Sequence, residues 1–246
     1  KALKTGATCT GNTAVGWRSL EDCADGGEYN TCVGYGAGLN LTTGDNNIAI
    51  GASTLDAIVT GANNVAVGSS ALGTNTSGAS NVAIGSTALN TNLGGSDNTA
   101  VGLGALYSNT SGVKNIAIGH NAMYGNTDGG NNIGIGYQAL YTQQSAGSNN
   151  CIGWKSGHLI STGATNCALG NNTLDALTSG NGNVAIGHDA GTAMVSAEYN
   201  VVIGYEAATS LGDHDWNVAV GCDAFAVSYG EKNTCIGRQA GKDNTN

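Results

Sequence analysis

The stretch NVAVGSSALGTNTSGAS, residues 64–80, is followed at once by NVAIGSTALNTNLGGSD, residues 81–97. The shared N-x-x-[IVL]-G pattern continues along the whole chain. Its Gly recurs at steps of 17 residues, apart from a first step of 18 and a last step of 16. A fixed period of this length indicates a solenoid, in which each repeat forms one coil.

We number each repeat from its Asn as position 1. Position 5 is always Gly, position 4 is Ile, Val or Leu, and position 3 is small in all repeats but one. The pattern predicts a single array over residues 1–246, with a partial leading repeat in 1–11 and fourteen repeats in 12–246, the last incomplete. The position-1 residues are Asn12, Asn30, Asn47, Asn64, Asn81, Asn98, Asn115, Asn132, Asn149, Asn166, Asn183, Asn200, Asn217 and Asn233.

The N-V-A-I-G segment predicts a short β-strand. Side chains alternate across a strand, so positions 2 and 4 share a β-branched face that suits a core. Positions 3 and 5 share a face of small residues, against which another backbone can pack closely. We predict an all-β fold, a parallel β-roll or β-solenoid of about fourteen coils, each with two short strands and two turns. At a spacing of about 4.8 Å the coils would form a rod roughly 67 Å long.

The recurring Asn predicts a structural ladder. In stacked parallel strands, each side-chain amide can bond to the same residue in the next coil. A polar residue that recurs at the same point of every coil is therefore expected to hold coils together rather than to catalyse a reaction.

The segments NVAVGSSAL, NVAIGSTAL and NIAIGHNAM resemble the head repeats of YadA-like trimeric autotransporter adhesins. NTAVGLGALYSNTSG is also similar to repeats of phage and viral tail-fibre proteins. The resemblance covers residues 12–246 and is carried by positions 1, 3, 4, 5 and 8. It implies a left-handed parallel β-roll, three chains packed side by side into a rod, and a role in binding surfaces.

The residues themselves also favour an oligomer. Both faces of the predicted strand are apolar or small, so the second face needs a partner, which is either a sister chain or another part of the same coil. A long apolar strip is seldom left exposed on a soluble protein. We therefore expect a homo-oligomer, and a trimeric rod in particular.

Composition excludes several classes of function. The chain has 41 Gly, no Pro and only 10% charged residues, with a net charge of −9. Only 8 Lys and Arg are present, which argues against binding to nucleic acid. No apolar run approaches the ~18 residues of a membrane span, so membrane insertion is not expected.

Few residues suggest chemistry. GYGAG (residues 34–38) lacks the Lys-Ser/Thr of a phosphate loop, and DHDW (residues 213–216) is expected to be a solvated turn rather than a metal site. Both His120 and His188 occupy position 6, too far apart to cooperate within one chain. We expect no catalytic site, cofactor or metal.

Position 10 holds an aromatic column that offers a candidate glycan-binding strip, since a flat ring can contact the apolar face of a sugar. An edge stack that only stabilises the turn is the alternative explanation. The column consists of Tyr107, Tyr124, Tyr141 and His158.

Asn40, Asn75 and Asn109 are sequons in predicted outward turns, and are N-glycosylation candidates if the chain is secreted by a glycosylating cell.

Seven Cys are present. Cys9 and Cys23 lie in turns of adjacent coils and can pair as a disulfide. Three further Cys replace Ala at position 3 and are expected to be buried free thiols, namely Cys32, Cys151 and Cys235.

These features together predict a non-enzymatic structural fibre or adhesin on a cell or virion surface, or otherwise extracellular. Its expected partners are copies of itself and a cell-surface or glycan receptor. A carbohydrate- or ice-binding β-solenoid is the alternative, and the broken Thr column at position 13 argues against ice. Neither end of the sequence shows a capping element, which suggests either a longer array or subunits that stack end to end into a filament.

Overall fold

The computed structural model describes residues 9–23, 26–57, 60–225 and 230–242. The predicted partial leading repeat therefore lies outside the described residues, except for residues 9–11. The chain divides into two compact units, Lys1–Asp128 and Gly129–Asn246. Each unit contains seven short strands and is an all-β parallel β-solenoid, and the described residues contain no helix. No helix in these ranges could therefore span a membrane.

Every repeat contributes one three-residue strand, formed by positions 2 to 4. In the first unit these are β1 (Thr13–Val15), β2 (Thr31–Val33), β3 (Ile48–Ile50), β4 (Val65–Val67), β5 (Val82–Ile84), β6 (Thr99–Val101) and β7 (Ile116–Ile118). In the second unit they are β8 (Ile133–Ile135), β9 (Asn150–Ile152), β10 (Cys167–Leu169), β11 (Val184–Ile186), β12 (Val201–Ile203), β13 (Val218–Val220) and β14 (Thr234–Ile236).

Within each unit, consecutive strands pair in parallel and without a register shift. In β4 and β5, for example, Val65 pairs with Val82 and Ala66 with Ala83. The prediction of two strands per coil is wrong for the described residues, since the remaining positions form turns. These turns are still bonded between coils, as when the N–H of Leu72 donates to the carbonyl of Ala88 at 3.0 Å.

The position-1 amides form a ladder between coils, and at Asn81 it uses all of the hydrogen-bonding capacity of the side chain. The Asn81 Nδ2 donates to Asn64 Oδ1 at 3.1 Å and to the carbonyl of Gly95 at 2.9 Å. Its Oδ1 accepts the backbone N–H and the Nδ2 of Asn98, at 3.0 and 3.1 Å. Because an amide side chain has two donors and two acceptor sites, this fully buried group is satisfied on every side.

The core lies on the side of the strand opposite to that predicted. Position 3 is buried, with Ala66 and Ala83 fully inaccessible, whereas the β-branched side chains of positions 2 and 4 remain partly exposed. The prediction that positions 2 and 4 face a core is therefore wrong for the single chain. The coil is narrow, and the bulk inside it comes from position 9, where Leu72 and Leu89 are fully buried. Only a small residue fits opposite them.

Positions 5, 7, 9 and 17 of the coil adopt positive φ, as Gly85, Thr87, Leu89 and Asp97 do. Position 9 adopts the left-handed region even where the residue is Leu, with φ of 49° at Leu72 and 50° at Leu89. A non-Gly residue there costs about 1–2 kcal/mol, and burial of the Leu side chain offsets a similar amount. Position 5 requires Gly for a different reason: a Cβ on Gly85 would lie 2.5 Å from the carbonyl oxygen of Gly102 in the next coil.

Candidate functional site

The outward side chains of the strands form an apolar surface in both units. We call this surface the β-branched face; it consists of the position-2 and position-4 side chains of every strand. Ile48 is 38% exposed, and Ile50 and Ile84 are each 41% exposed. Val and Ile predominate on the face, with Thr, Asn150 and Cys167 as the more polar or smaller members. Water therefore contacts two columns of apolar side chains along each unit.

Exposed aromatic residues at positions 6 and 17 flank this face. Tyr137 and Trp154 stack with their ring centroids 6.2 Å apart, and the Lys155 ammonium lies 4.7 Å from the Trp154 ring centroid. Tyr199 and Trp216 stack more closely, at 4.5 Å. All four rings are at least 40% exposed. These pairs extend the apolar surface of the second unit on either side of the strands.

The predicted glycan strip appears as stacked pairs, one in each unit. The Tyr107 and Tyr124 rings are nearly parallel, at 6°, with centroids 4.9 Å apart. Tyr141 and His158 stack at 5.3 Å. Rings that face each other close their inner faces and leave mainly edges to solvent. The arrangement favours a stack that holds neighbouring coils together over a flat platform for a sugar.

Two of the three predicted glycosylation sites are not outward. Asn75 and Asn109 are fully buried, and the prediction of their outward placement is wrong. The Asn75 Nδ2 donates to the carbonyl of Gly78 at 2.9 Å, which leaves no room for a glycan in the folded coil. Asn40 is partly buried, and its Nδ2 donates to the carbonyl of Asp56 at 2.5 Å.

Asn75 and Asn109 belong to a second amide ladder, at position 12, that the sequence reasoning missed. The Asn92 Nδ2 donates to Asn75 Oδ1 at 2.8 Å, and the Asn109 Nδ2 donates to Asn92 Oδ1 at 2.8 Å. The carbonyl of Gly95 accepts from both Asn81 and Asn92, each at 2.9 Å, so the two ladders are joined. The recurrence of Asn at position 12 in four successive repeats was the available signal.

Cys9 and Cys23 are joined by a disulfide. Of the position-3 thiols, Cys32 and Cys151 are buried and Cys235 is partly buried. Burial raises the pKa of the Cys32 thiol to about 12, and it raises the pKa of the Cys151 thiol as well. These two thiols are therefore uncharged and poor nucleophiles at physiological pH.

Each Cys at position 3 is matched by a Gly at position 9, a relation that the sequence reasoning also missed. A Cβ on Gly38 would lie 2.5 Å from the Cys32 Sγ, and one on Gly157 would lie 2.6 Å from the Cys151 Sγ. The larger position-3 side chain therefore occupies the space that Leu fills elsewhere. A buried residue at position 12, such as Leu41, restores the lost bulk.

The DHDW segment is engaged in contacts between coils. The Asp213 Oδ1 accepts the N–H of Val195 at 2.9 Å and of Ser196 at 2.6 Å, and the bond from Ser196 lowers the pKa of this carboxyl. The Asp215 Oδ1 accepts the N–H of Glu198 at 2.7 Å. Across the described ranges, no three His, Cys, Asp or Glu side chains are grouped as a metal site, and no cavity is found.

Fold and surface together define a parallel β-solenoid with an apolar outward strand face. Comparison with protein-family models, with curated proteins and with solved structures gives no significant match to this chain. The likeness to adhesin-head and tail-fibre repeats therefore depends on the quoted repeat residues, and the functional argument depends on the surfaces described above.

Proposed function

We propose that this chain is a non-enzymatic structural fibre subunit that assembles by packing its β-branched face against other copies of itself. The observation that carries the proposal is the outward placement of positions 2 and 4, which leaves Val, Ile and Leu side chains in contact with water in successive coils. A repeated apolar surface of this kind marks a protein–protein contact far more often than a solvated surface.

The free energy available from this face is sufficient for association. Burying the remaining exposed part of one β-branched side chain contributes roughly 0.5–1 kcal/mol. The first unit presents fourteen such side chains, and the second unit presents eleven, because Asn150, Cys167 and Leu169 are not β-branched. One unit therefore contributes on the order of 10 kcal/mol, which is comparable to the roughly 4–15 kcal/mol that association costs. The second unit adds a similar amount, so the assembled state is favoured.

We further propose three copies in each fibre, with an adhesive role on a cell or virion surface. The number three and the adhesive role are supported by the resemblance of the repeats to trimeric adhesin heads. An extracellular location is also supported by the Cys9–Cys23 disulfide, because such bonds persist in oxidising compartments. The flanking aromatic pairs offer further contact area, either for sister chains or for a receptor.

A matched pair of variants tests the assembly. Ile50→Lys combined with Ile84→Lys places two charges on the β-branched face, and should convert the assembly into monomers because a buried charge without a partner is costly. Val113→Lys is the control. Val113 is 38% exposed, close to the 41% of Ile50, but lies at position 16, away from that face.

Sedimentation velocity at micromolar concentration reads out the mass, and circular dichroism checks that each variant is folded. We expect about three times the chain mass of 24.3 kDa for the wild type and for Val113→Lys. A wild-type protein that sediments as a folded 24.3 kDa monomer would defeat the proposal. If the control and the double variant dissociated equally, the contact between copies could not be assigned to the β-branched face.

A further inference from the structure

A second outward surface of the first unit consists of hydroxyl side chains. Positions 11 to 13 read TNT at 74–76, TNL at 91–93, SNT at 108–110 and GNT at 125–127. Burial alternates along each segment: Thr74 and Thr76 are exposed, while Asn75 between them is fully buried in the position-12 ladder. The position-12 ladder thus fixes the backbone between two outward columns of side chains, at positions 11 and 13. We call these outward residues, together with Thr60 at position 14 of the preceding coil, the hydroxyl face; its other members are Thr74, Thr76, Thr91, Ser108, Thr110 and Thr127.

Hydrogen bonds to the next coil hold most of these hydroxyls in a repeated orientation. The Thr74 Oγ1 donates to the carbonyl of Asn90 at 2.8 Å, and the Thr76 Oγ1 donates to the carbonyl of Leu93 at 2.8 Å. Thr60, Thr91 and Thr110 donate to following carbonyls in the same way, at 3.1, 2.7 and 2.9 Å. A hydroxyl that donates its proton to the protein presents its oxygen lone pairs to water. The five bonded threonines therefore present acceptor oxygens with methyl groups beside them, and the two columns are interrupted at Leu93 and Gly125.

The spacing of this array is close to that of ice. Hydrogen-bonded oxygens lie about 2.8 Å apart, so second neighbours around a tetrahedral water are about 4.6 Å apart. Successive coils repeat at about 4.8 Å. The mismatch of about 0.2 Å per coil accumulates to less than about 1 Å over four coils, so neighbouring hydroxyls can each replace one lattice water.

We propose that the hydroxyl face binds the surface of ice. The ordered hydroxyl oxygens of the face occupy positions of water oxygens in the ice lattice. The Thr methyl groups displace water molecules that would not fit that lattice. The described face carries no Lys or Arg, whose strongly hydrated charges would disorder such a layer. Asp128 lies at its edge and accepts the Thr127 hydroxyl at 3.0 Å. This inference does not depend on self-assembly, because the hydroxyl face and the β-branched face are formed by different positions of the coil.

The second unit provides an internal contrast. Its described position 11 and 13 pairs are Thr142 with Gln144, Leu159 with Ser161, Ala176 with Thr178, Ala193 with Val195, and Ser210 with Gly212. These pairs mix apolar, amide and hydroxyl side chains, so they present no regular oxygen array. The proposed site is consequently restricted to coils within residues 60–127. The broken position-13 column that argues against ice in the whole sequence is interrupted in these coils at Leu93 alone, and Thr76, Thr110 and Thr127 retain the hydroxyl.

Full-length variants test the assignment through ice recrystallisation inhibition and the thermal hysteresis gap, measured at equal protein concentration. Thr76→Tyr and Thr110→Tyr each place a bulky ring on the face and should lower both activities to the buffer baseline. Leu93→Thr completes the column and should raise both activities above the wild type. Ser69→Tyr is the control, because it adds the same ring at position 6, where Tyr35 and Tyr137 occur naturally.

Circular dichroism of every variant shows whether it is folded, and sedimentation shows whether it assembles. A loss of activity in a folded, assembled variant is therefore due to the change on the hydroxyl face. The proposal is supported if Ser69→Tyr keeps the wild-type activity while the two Thr variants lose it. It is overturned if the wild type does not differ from buffer, or if Ser69→Tyr reduces the activity as much as Thr110→Tyr. Adsorption of the wild type to a crystalline polysaccharide such as chitin, without any effect on ice, would also overturn it.

Discussion

At the scale of single residues, the buried amides of position 1 explain why Asn rather than another polar residue recurs. Asn81 donates twice and accepts twice within one column, and no shorter or singly functional side chain can make all four bonds. Asp would keep the shape but lose both donors and add a charge. Gln would keep the amide but is too long by one methylene for a column at coil spacing.

Asn81→Asp should therefore lower the free energy of unfolding by about 3–5 kcal/mol at neutral pH, as is usual for an uncompensated buried charge. Burial raises the pKa of the new carboxyl above its unfolded value. The destabilisation is consequently full above the folded-state pKa and decreases as the pH falls through it, because the neutral acid is tolerated better. Denaturant titrations at several pH values measure this dependence.

Asn121→Asp provides the control for this experiment. It makes the same chemical change at position 7, where the chain already carries Asp189 and Asp223. The variant should have nearly wild-type stability. If Asn81→Asp were as stable as this control at pH 7, the ladder would not hold the coils together.

Thiol chemistry gives a second test at the residue scale. Cys32 and Cys151 are buried with raised pKa values, whereas Cys167 and Cys222 are partly exposed. In the folded protein at pH 8, the Cys222 thiol should react with an aromatic disulfide reagent well before the two buried ones, whereas Cys167 lies on the β-branched face and should be covered in the assembly. The unfolded, non-reduced chain should show five reactive thiols, since Cys9 and Cys23 are bonded. Rapid reaction of Cys32 in the folded chain, identified by peptide mapping, would contradict the placement of position 3 inside the coil.

At the scale of one coil, positions 3, 9 and 12 share a fixed volume. Most coils with Ala at position 3 hold a large side chain at position 9, as Ala66 does with Leu72, whereas Cys32 is accompanied by Gly38 and the buried Leu41. Coil 10 shows a third combination, with small Ala168 and two buried Leu residues at positions 9 and 12, Leu174 and Leu177. Each solution fills the same narrow interior.

Gly38→Leu alone should destabilise the protein by about 1–3 kcal/mol, because the new side chain overlaps the Cys32 sulfur. Adding Cys32→Ala converts the coil to the pattern of coil 10 and should recover most of the loss. The double-mutant cycle should therefore give a coupling free energy above about 1 kcal/mol, measured by denaturant unfolding. Strictly additive effects would show that the two positions do not share space.

The sequence predicted the elements better than it predicted their orientation. The period, the strand at N-V-A-I-G and the need for Gly85 follow from spacing and residue size alone. Which face is inside did not follow, because Ala83 and Ile84 both suit burial and only the narrowness of the coil places the smaller residue inward. The sequence indicates an outward turn at Asn75 and Asn109, although both are buried, because a buried amide and a turn residue look alike in sequence. The Cys32–Gly38 relation was readable, since every Cys at position 3 is followed six residues later by Gly.

At the scale of the whole molecule, the inward Ala at position 3 and the outward Ile and Val at positions 2 and 4 determine which surface is available for assembly. Each coil places its small residues inside and two larger apolar side chains outside, so the single chain is left with apolar surface that other copies can cover. Neither the Tyr107–Tyr124 stack nor the DHDW carboxylates provide a comparable surface, because their main contacts are between neighbouring coils. The proposed fibre therefore depends on the β-branched face.

The most direct test of this account is an electron cryomicroscopy reconstruction of the natively assembled protein, resolved well enough to trace the coils in cross-section. We predict three chains side by side, with the side chains of Ile48, Ile50 and Ile84 directed at neighbouring chains and excluded from solvent. Isolated chains, or an assembly in which these three residues face solvent, would contradict the central claim that the β-branched face builds the fibre.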